Sequence, residues 1–218
     1  MLINEAKWIG QQISGLPLSK KDIVLNFGSQ TKNYINKNIH IIEHVLKPLS
    51  QKCQLKNLDL RSGHGIDYSG NILEDDFFNN LLSVQFAGIL LCNVIEHVTN
   101  IEKFSSRVGQ LVKRGGFLIF TGPYKYPLHY DPIDNGFRPE INEVMHLFKS
   151  FKVINAEKIT DFTYSYYLFR NKRQLLSTLL RVMSPFYKFR KWKKVVLPKF
   201  KWLNKQFEVT CVLMEKGK

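Results

Sequence analysis

The segment Ile23-Val-Leu-Asn-Phe-Gly28 constrains the fold more than any other part of this sequence. A short apolar run passes directly into a Gly28-Ser29-Gln30-Thr31 turn, the pattern of a buried β-strand emptying into a glycine loop. Such a strand brings bare backbone close to a ligand at the edge of an α/β sheet. Further on, Phe86-Ala-Gly-Ile-Leu-Leu-Cys92 is an unbroken apolar run, as expected of a central parallel strand covered on both faces. It leads into Asn93-Val-Ile-Glu-His-Val98. Together the two segments point to a nucleotide-type cofactor site.

The rest of the chain fits around them. Ala6, Ile9 and Ile13 predict an amphipathic helix within residues 1–20, ended by Gly15-Leu-Pro-Leu18. Apolar positions 39, 42, 45, 46 and 49 predict a second helix. Strands are expected over 55–60, 65–72 and 117–121, and a last pair over 151–160 and 207–214. Helices are expected over 75–82, 101–112 and 140–148, the second closed by Gly115-Gly116. Residues 122–139 read as a loop rich in Pro, Tyr, His and Asp. This alternation implies a mostly parallel sheet with helices on both faces and ligands at the carboxyl ends of the strands.

Two glycine segments compete for the cofactor loop. Leu58-Asp-Leu-Arg-Ser-Gly-His-Gly65 is richer in glycine than Asn26-Phe-Gly-Ser29. Spacing decides against it. Only about 20 residues separate Gly65 from Phe86, whereas helix, strand, helix and strand are needed there, at about 10 residues or more per crossover. With Gly28 as the loop, the interval holds the required elements and Asp59 ends the second strand. An acidic residue there can take both hydroxyls of a ribose.

Composition bounds the remaining classes. At 218 residues and 44% hydrophobic content, the chain makes one packed domain (21–218) preceded by the helix in 1–20. Cys53, Cys92 and Cys211 are widely spaced, which argues against a zinc site or disulfide framework, so no metal is expected. The first residues do not read as a secretory signal, and no run reaches the roughly 18 apolar residues of a membrane span. The expected location is cytoplasmic. Of the net charge of +14, twelve units lie in 162–206, which holds twelve Lys or Arg and no Asp or Glu. That segment interleaves its cations with Phe186, Tyr187, Phe189, Trp192, Phe200 and Trp202 after a helical stripe of Leu175, Leu176, Leu179, Leu180 and Met183. Three readings stay open: contact with an anionic membrane surface at the inner face, a helical lid over the substrate, and single-stranded nucleic acid.

These residues resemble class I S-adenosylmethionine-dependent methyltransferases. Asn93-Val-Ile-Glu-His-Val98 is similar to the Asn-x-Leu-Glu-His-Val that follows the fourth strand in that family's small-molecule branch. Gly115-Gly116-Phe117-Leu-Ile-Phe120 resembles the entry to its fifth strand, and 126–139 resembles the loop of a bacterial subgroup linked to surface glycan or lipid biosynthesis. The sequence departs from the family at Asn26, where an acidic residue is usual, and at Asn71 after Gly70. The resemblance implies a Rossmann-like fold with a seven-stranded, mostly parallel sheet and a basic helical insertion (162–206) before the last strand. It implies S-adenosylmethionine as cofactor, with Asn26, Gly28, Ser29, Asp59, Asn71, Ile72, Cys92 and Asn93 around it. The 122–139 loop is the expected acceptor site, with Tyr124, Tyr126, Asp134 and Arg138 as substrate contacts. His129 is the candidate general base oriented by Asp131, and His97 is a further catalytic candidate. Glu96 and His97 are expected to start the helix after the fourth strand, where a carboxylate is favoured whatever its function. The implied reaction is methyl transfer to a small or lipid- or glycan-linked acceptor, with a hydroxyl as first expectation. An RNA methyltransferase using the basic arm, or a degenerate fold acting as a membrane-bound interaction module, are the alternatives.

Overall fold

The computed structural model describes residues 1–128, 133–170, 175, 176, 178, 180, 189 and 202–217. Its strands are β1 (Ile23–Phe27), β2 (Gln54–Asp59), β3 (Tyr68–Ser69), β4 (Phe86–Cys92), β5 (Val112–Lys125), β6 (Phe151–Thr163) and β7 (Gln206–Lys216). They form one sheet in the order β3-β2-β1-β4-β5-β7-β6. Neighbours from β3 through β5 are parallel, and β7 runs antiparallel to both β5 and β6. The chain winds outward in opposite directions from β1 and β4, so their carboxyl ends splay apart and leave a crevice.

Alternation along the central strands builds a core on each face. Leu25, Phe27, Ile89, Leu91, Leu118 and Phe120 face one layer, with α5 (Asp75–Leu82), α6 (Ile101–Leu111) and α7 (Ile141–Leu147). Val24, Leu90, Phe117 and Ile119 face the other, against α1 (Ile3–Gly15) and the helical stretch from α3 (Ile39–Ile41) to α4 (Lys47–Lys52). Trp8, Ile9 and Ile13 of α1 are buried there, each contributing roughly 1.5–3 kcal/mol. Helix α1 is thereby fixed on the sheet, and its first turn reaches the crevice. Two further short helices are α2 (Lys32–Ile35) and α8 (Tyr164–Arg170).

Several expectations need correction. The helical stripe is Ile41, Val45 and Leu49, and Ile39 is exposed. A π-helical turn at Ile42–Leu46 shifts the phase just before Pro48, whose missing amide cannot continue the ladder. The third strand is only Tyr68–Ser69, because the Asp67 carboxylate takes the Asn57 amide (2.8 Å) and Asn71 begins a turn. Helix α6 ends at Leu111, and β5 starts there rather than after Gly115-Gly116. At its other end β5 runs on through Gly122–Lys125, which pairs with β7; Pro123 is tolerated because β4 has already ended beside Thr121. Glu96 and His97 sit in a separate 3-10 turn, Ile95–His97, and α6 is capped independently by Asn100, whose side chain accepts from Lys103 N (3.0 Å). The helical character expected of 162–206 falls largely on residues outside those described; within them, α8 opens the segment and Trp202 stacks near Phe207 at 5.8 Å. Among the described residues no helix is long and apolar enough to cross a membrane.

Candidate functional site

A cavity of about 530 Å³ opens at the carboxyl ends of β1, β2, β4 and β5. That volume lies within the roughly 300–1,000 Å³ typical of small-molecule sites. The β1 loop forms one wall. Gly28 N and Ser29 N both donate to Leu58 O (2.9 and 3.1 Å), clamping the loop onto the end of β2. Gly28 takes φ +69, a left-handed conformation that glycine adopts without strain. The Asp59 carboxylate accepts from Gln30 N (2.9 Å) and Arg61 N (3.2 Å), so it stands fixed at the lip of the same wall. Each of its oxygens keeps a lone pair for a further donor. Ser29 is buried, and its Oγ has no hydrogen-bond partner among the described residues. A bare glycine turn, a fixed carboxylate and an unpartnered hydroxyl fit the polar edge of a nucleoside ligand.

The opposite wall comes from β4, the 3-10 turn and α1. Gln30 and Asn93 line the cavity and both have positive φ (62 and 54). Left-handed backbone away from glycine is strained and collects where function over-determines geometry. Glu5, fully buried, enters from α1. Its Oε1 accepts from Asn93 Nδ2 and Thr121 Oγ1 (both 2.6 Å), and its Oε2 accepts from Leu2 N (2.7 Å). Glu96 is 1% exposed; burial pushes its carboxyl up to about 6. Glu96 Oε2 has no partner among the described residues, and Oε1 lies 3.9 Å from His97 Nε2. Cys92 also lines the cavity, but burial pushes its thiol up to about 12, so it stays protonated and is no nucleophile.

Of the residues singled out from sequence, Asn26, Gly28, Ser29, Asp59, Cys92, Asn93, His97 and Tyr126 are brought together on this cavity. Asn26 uses its amide sideways, donating to Asn57 Oδ1 (3.0 Å). Others lie elsewhere. Ile72 is packed in the core, and the Asn71 side chain accepts from Leu73 N (3.0 Å), closing the turn into α5. Tyr124 donates to Glu140 (2.6 Å) on the far side of β5 and carries Lys158 over its ring at 3.7 Å. Arg138 grips Asp134 through both guanidinium nitrogens (3.0 and 2.7 Å), a loop salt bridge rather than a free substrate clamp. His129 and Asp131 lie outside the described residues. Among the described residues no cluster of three or more ligating side chains could hold a metal ion. Sequence reasoning missed Glu5. Its signal was available: Glu5 shares the i, i+4, i+8 face of Ile9 and Ile13, an acid on an apolar stripe.

No family model matches the sequence, and no curated protein matches it. Many solved structures share the fold. Phosphoethanolamine N-methyltransferase 2 of Haemonchus contortus, solved with phosphomonomethylethanolamine and S-adenosylhomocysteine, is 12% identical with a TM-score of 0.54 over 99% of this chain and 53% of that one. The chain thus spans about half the length of that neighbour. Coclaurine N-methyltransferase, bound to N-methylheliamine and S-adenosylhomocysteine, is 15% identical with a TM-score of 0.57 over 97% of this chain and 69% of that one. The cyclase SpnF is 11% identical with a TM-score of 0.59 over 97% of this chain and 80% of that one. The sheet order, the single antiparallel strand and these likenesses agree: the chain has the class I S-adenosylmethionine-dependent methyltransferase fold.

Proposed function

We propose that this chain is a methyltransferase that takes a methyl group from S-adenosylmethionine and passes it to a small acceptor in the same cavity. The observation that carries the reading is the convergence of the Gly28 turn, the unpartnered Ser29 hydroxyl and the fixed Asp59 carboxylate on one wall of a ligand-sized cavity. Two of the fold neighbours described above are methyltransferases crystallised with S-adenosylhomocysteine, which supports the same cofactor here. Gly28 and Ser29 would face the methionine moiety, Asp59 the ribose hydroxyls, and Cys92 and Asn93 the floor. The cofactor supplies an electrophilic methyl carbon on a sulfonium. The protein's own task is to align the acceptor, exclude water and, where needed, take one proton. Buried Phe27, Ile41 and Val45 on the cavity wall serve the exclusion of water.

Isothermal titration with S-adenosylhomocysteine tests the reading. Binding is expected, and Asp59→Asn weakens it about 10- to 100-fold, the loss of charge-assisted hydrogen bonds of about 1.5–3 kcal/mol. Asparagine keeps one carbonyl oxygen to accept from the Gln30 or Arg61 amide, so the β1 loop stays in place. No heat at millimolar ligand would overturn the enzymatic reading in favour of the interaction module.

A further inference from the structure

Two buried carboxylates, Glu96 and Glu5, are among the residues that line the cavity, and they bear on what it is built to hold. Glu96 Oε2 is a buried carboxylate oxygen without a hydrogen-bond partner among the described residues. A buried carboxylate oxygen left without a donor is among the more expensive features a fold can carry. Among the described residues no cation hydrogen-bonds to that oxygen. Arg138 is committed to Asp134 through two short bonds, and His97 stands beside the other oxygen at 3.9 Å, its Nδ1 bonded to the Ile133 carbonyl. Glu5 adds a second buried carboxylate to the same cavity, and Tyr34 and Tyr126 add aromatic side chains. Carboxylates set beside aromatic rings suit an organic cation, which gains from both the charge and the ring faces. An uncharged hydroxyl would bring Glu96 Oε2 a hydrogen bond but no counter-charge.

We infer that the methyl acceptor is an amine that enters as its ammonium, held against Glu96 with Glu5 and the two tyrosines around it, and that Glu96 takes its proton. This rests on the methyltransferase reading. The proton leaves nitrogen for Glu96 Oε2. The nitrogen lone pair so released forms the new bond to the methyl carbon as the donor's carbon–sulfur bond breaks towards sulfur, turning the sulfonium into a thioether. The product is a methylammonium. Glu96 then returns its proton to solvent. A carboxyl poised near 6 re-ionises at neutral pH, and burial of the ammonium beside it brings the two proton affinities together.

The donor carries an ammonium of its own on its methionine moiety, so the test must separate the two sources. Benzylamine and benzyl alcohol are titrated into protein saturated with S-adenosylhomocysteine, and again into protein without it, for the parent chain and Glu96→Gln. The amine is expected to bind at least tenfold more tightly than the alcohol at pH 7.5, and Glu96→Gln to abolish that preference while changing S-adenosylhomocysteine affinity less than threefold. The preference is also expected to fade as pH falls through about 6, with His97, Glu5 and Arg138 the other charged groups that face Glu96. Equal binding of the two probes, or a preference that survives Glu96→Gln, overturns the inference. So does a variant that weakens S-adenosylhomocysteine more than the amine, because the charge then serves the donor. Loss of S-adenosylhomocysteine binding in the parent chain would sink the methyltransferase reading instead, and the cofactor-free titration still reports the amine preference. Glu96→Gln is near-isosteric and removes a desolvated charge, so the variant folds.

Discussion

Glu5→Ala is expected to cost about 3 kcal/mol of stability, a shift read as a lower urea midpoint with an unchanged denaturant slope. The carboxylate ties three separate parts of the chain together: Leu2 N at the entry to α1, Asn93 Nδ2 after β4 and Thr121 Oγ1 on β5. Glu5 is fully buried, so removing it leaves those three donors without their acceptor. Each orphaned donor costs about 1–3 kcal/mol, offset in part because the desolvated carboxylate is gone. Asn93 suffers most. Its φ of +54 is a strained conformation, and the side-chain bond to Glu5 helps hold it there. A double-mutant cycle with Thr121→Val separates the network from the helix. A coupling of about 1 kcal/mol or more is expected between the two sites, and additivity would show that the two groups act independently.

The sign of the Glu96 contribution runs the other way. Its folded carboxyl lies above its unfolded value of about 4.5, so the folded state holds the proton longer. Stability is therefore highest below pH 4.5 as far as this group is concerned, and falls as pH rises towards 6, where the folded carboxyl also ionises. At neutral pH this one side chain works against the fold by an amount on the order of 2 kcal/mol. Glutamine at position 96 is accordingly expected to raise the thermal midpoint at pH 7.5 and to change it little at pH 4. A residue that weakens the fold at working pH while facing the cavity is better explained by binding than by packing.

The parts of the fold legible in the sequence are those whose signal is local. Helix α5 and strands β1 and β4 fall on their expected bounds, because each is a short run with one period and turn residues on both sides. The spacing rule that chose Gly28 over Gly65 agrees with the observed sheet: Gly28 follows β1 between β2 and β4, while Gly65 precedes the short outer strand β3. What stayed hidden depends on partners distant in sequence. Gly122 and Pro123 look like turn residues, yet they extend β5 because Thr210 and Val209 of β7 lie opposite them. Tyr124 sits among aromatic and acidic loop residues, yet the strand turns it outward to Glu140 and Lys158. Glu5 reaches Asn93 across 88 positions. Only its place on the apolar stripe of α1 hints that it points inward, and the burial of Glu96 follows from a 3-10 turn that no sequence period announces.

Replacing Gly28 with alanine is expected to abolish S-adenosylhomocysteine binding in the accessible range, at least a hundredfold, with a stability loss of about 2–3 kcal/mol. Two effects add. A left-handed backbone costs an L-residue roughly 1–2 kcal/mol, and Gly28 sits at φ +69. The added Cβ would also stand 2.6 Å from Val94 Cγ2. Val94 is β-branched and stiff at χ1, so the chain relieves that overlap by moving the loop rather than the side chain. The loop cannot move without straining the Gly28 and Ser29 amides off Leu58 O, and those two bonds aim it at the cavity. Gly115→Ala supplies the control. Gly115 has nearly the same φ, +70, yet its added Cβ meets nothing within 4 Å, and it lies at the opposite end of the sheet. That variant pays for backbone strain alone, so its urea midpoint falls while its titration with S-adenosylhomocysteine matches the parent chain. If both variants lose ligand affinity equally, global destabilisation rather than the β1 turn explains the loss. If Gly28→Ala binds as the parent does, the ligand does not approach this backbone and the cofactor wall has been placed on the wrong strand.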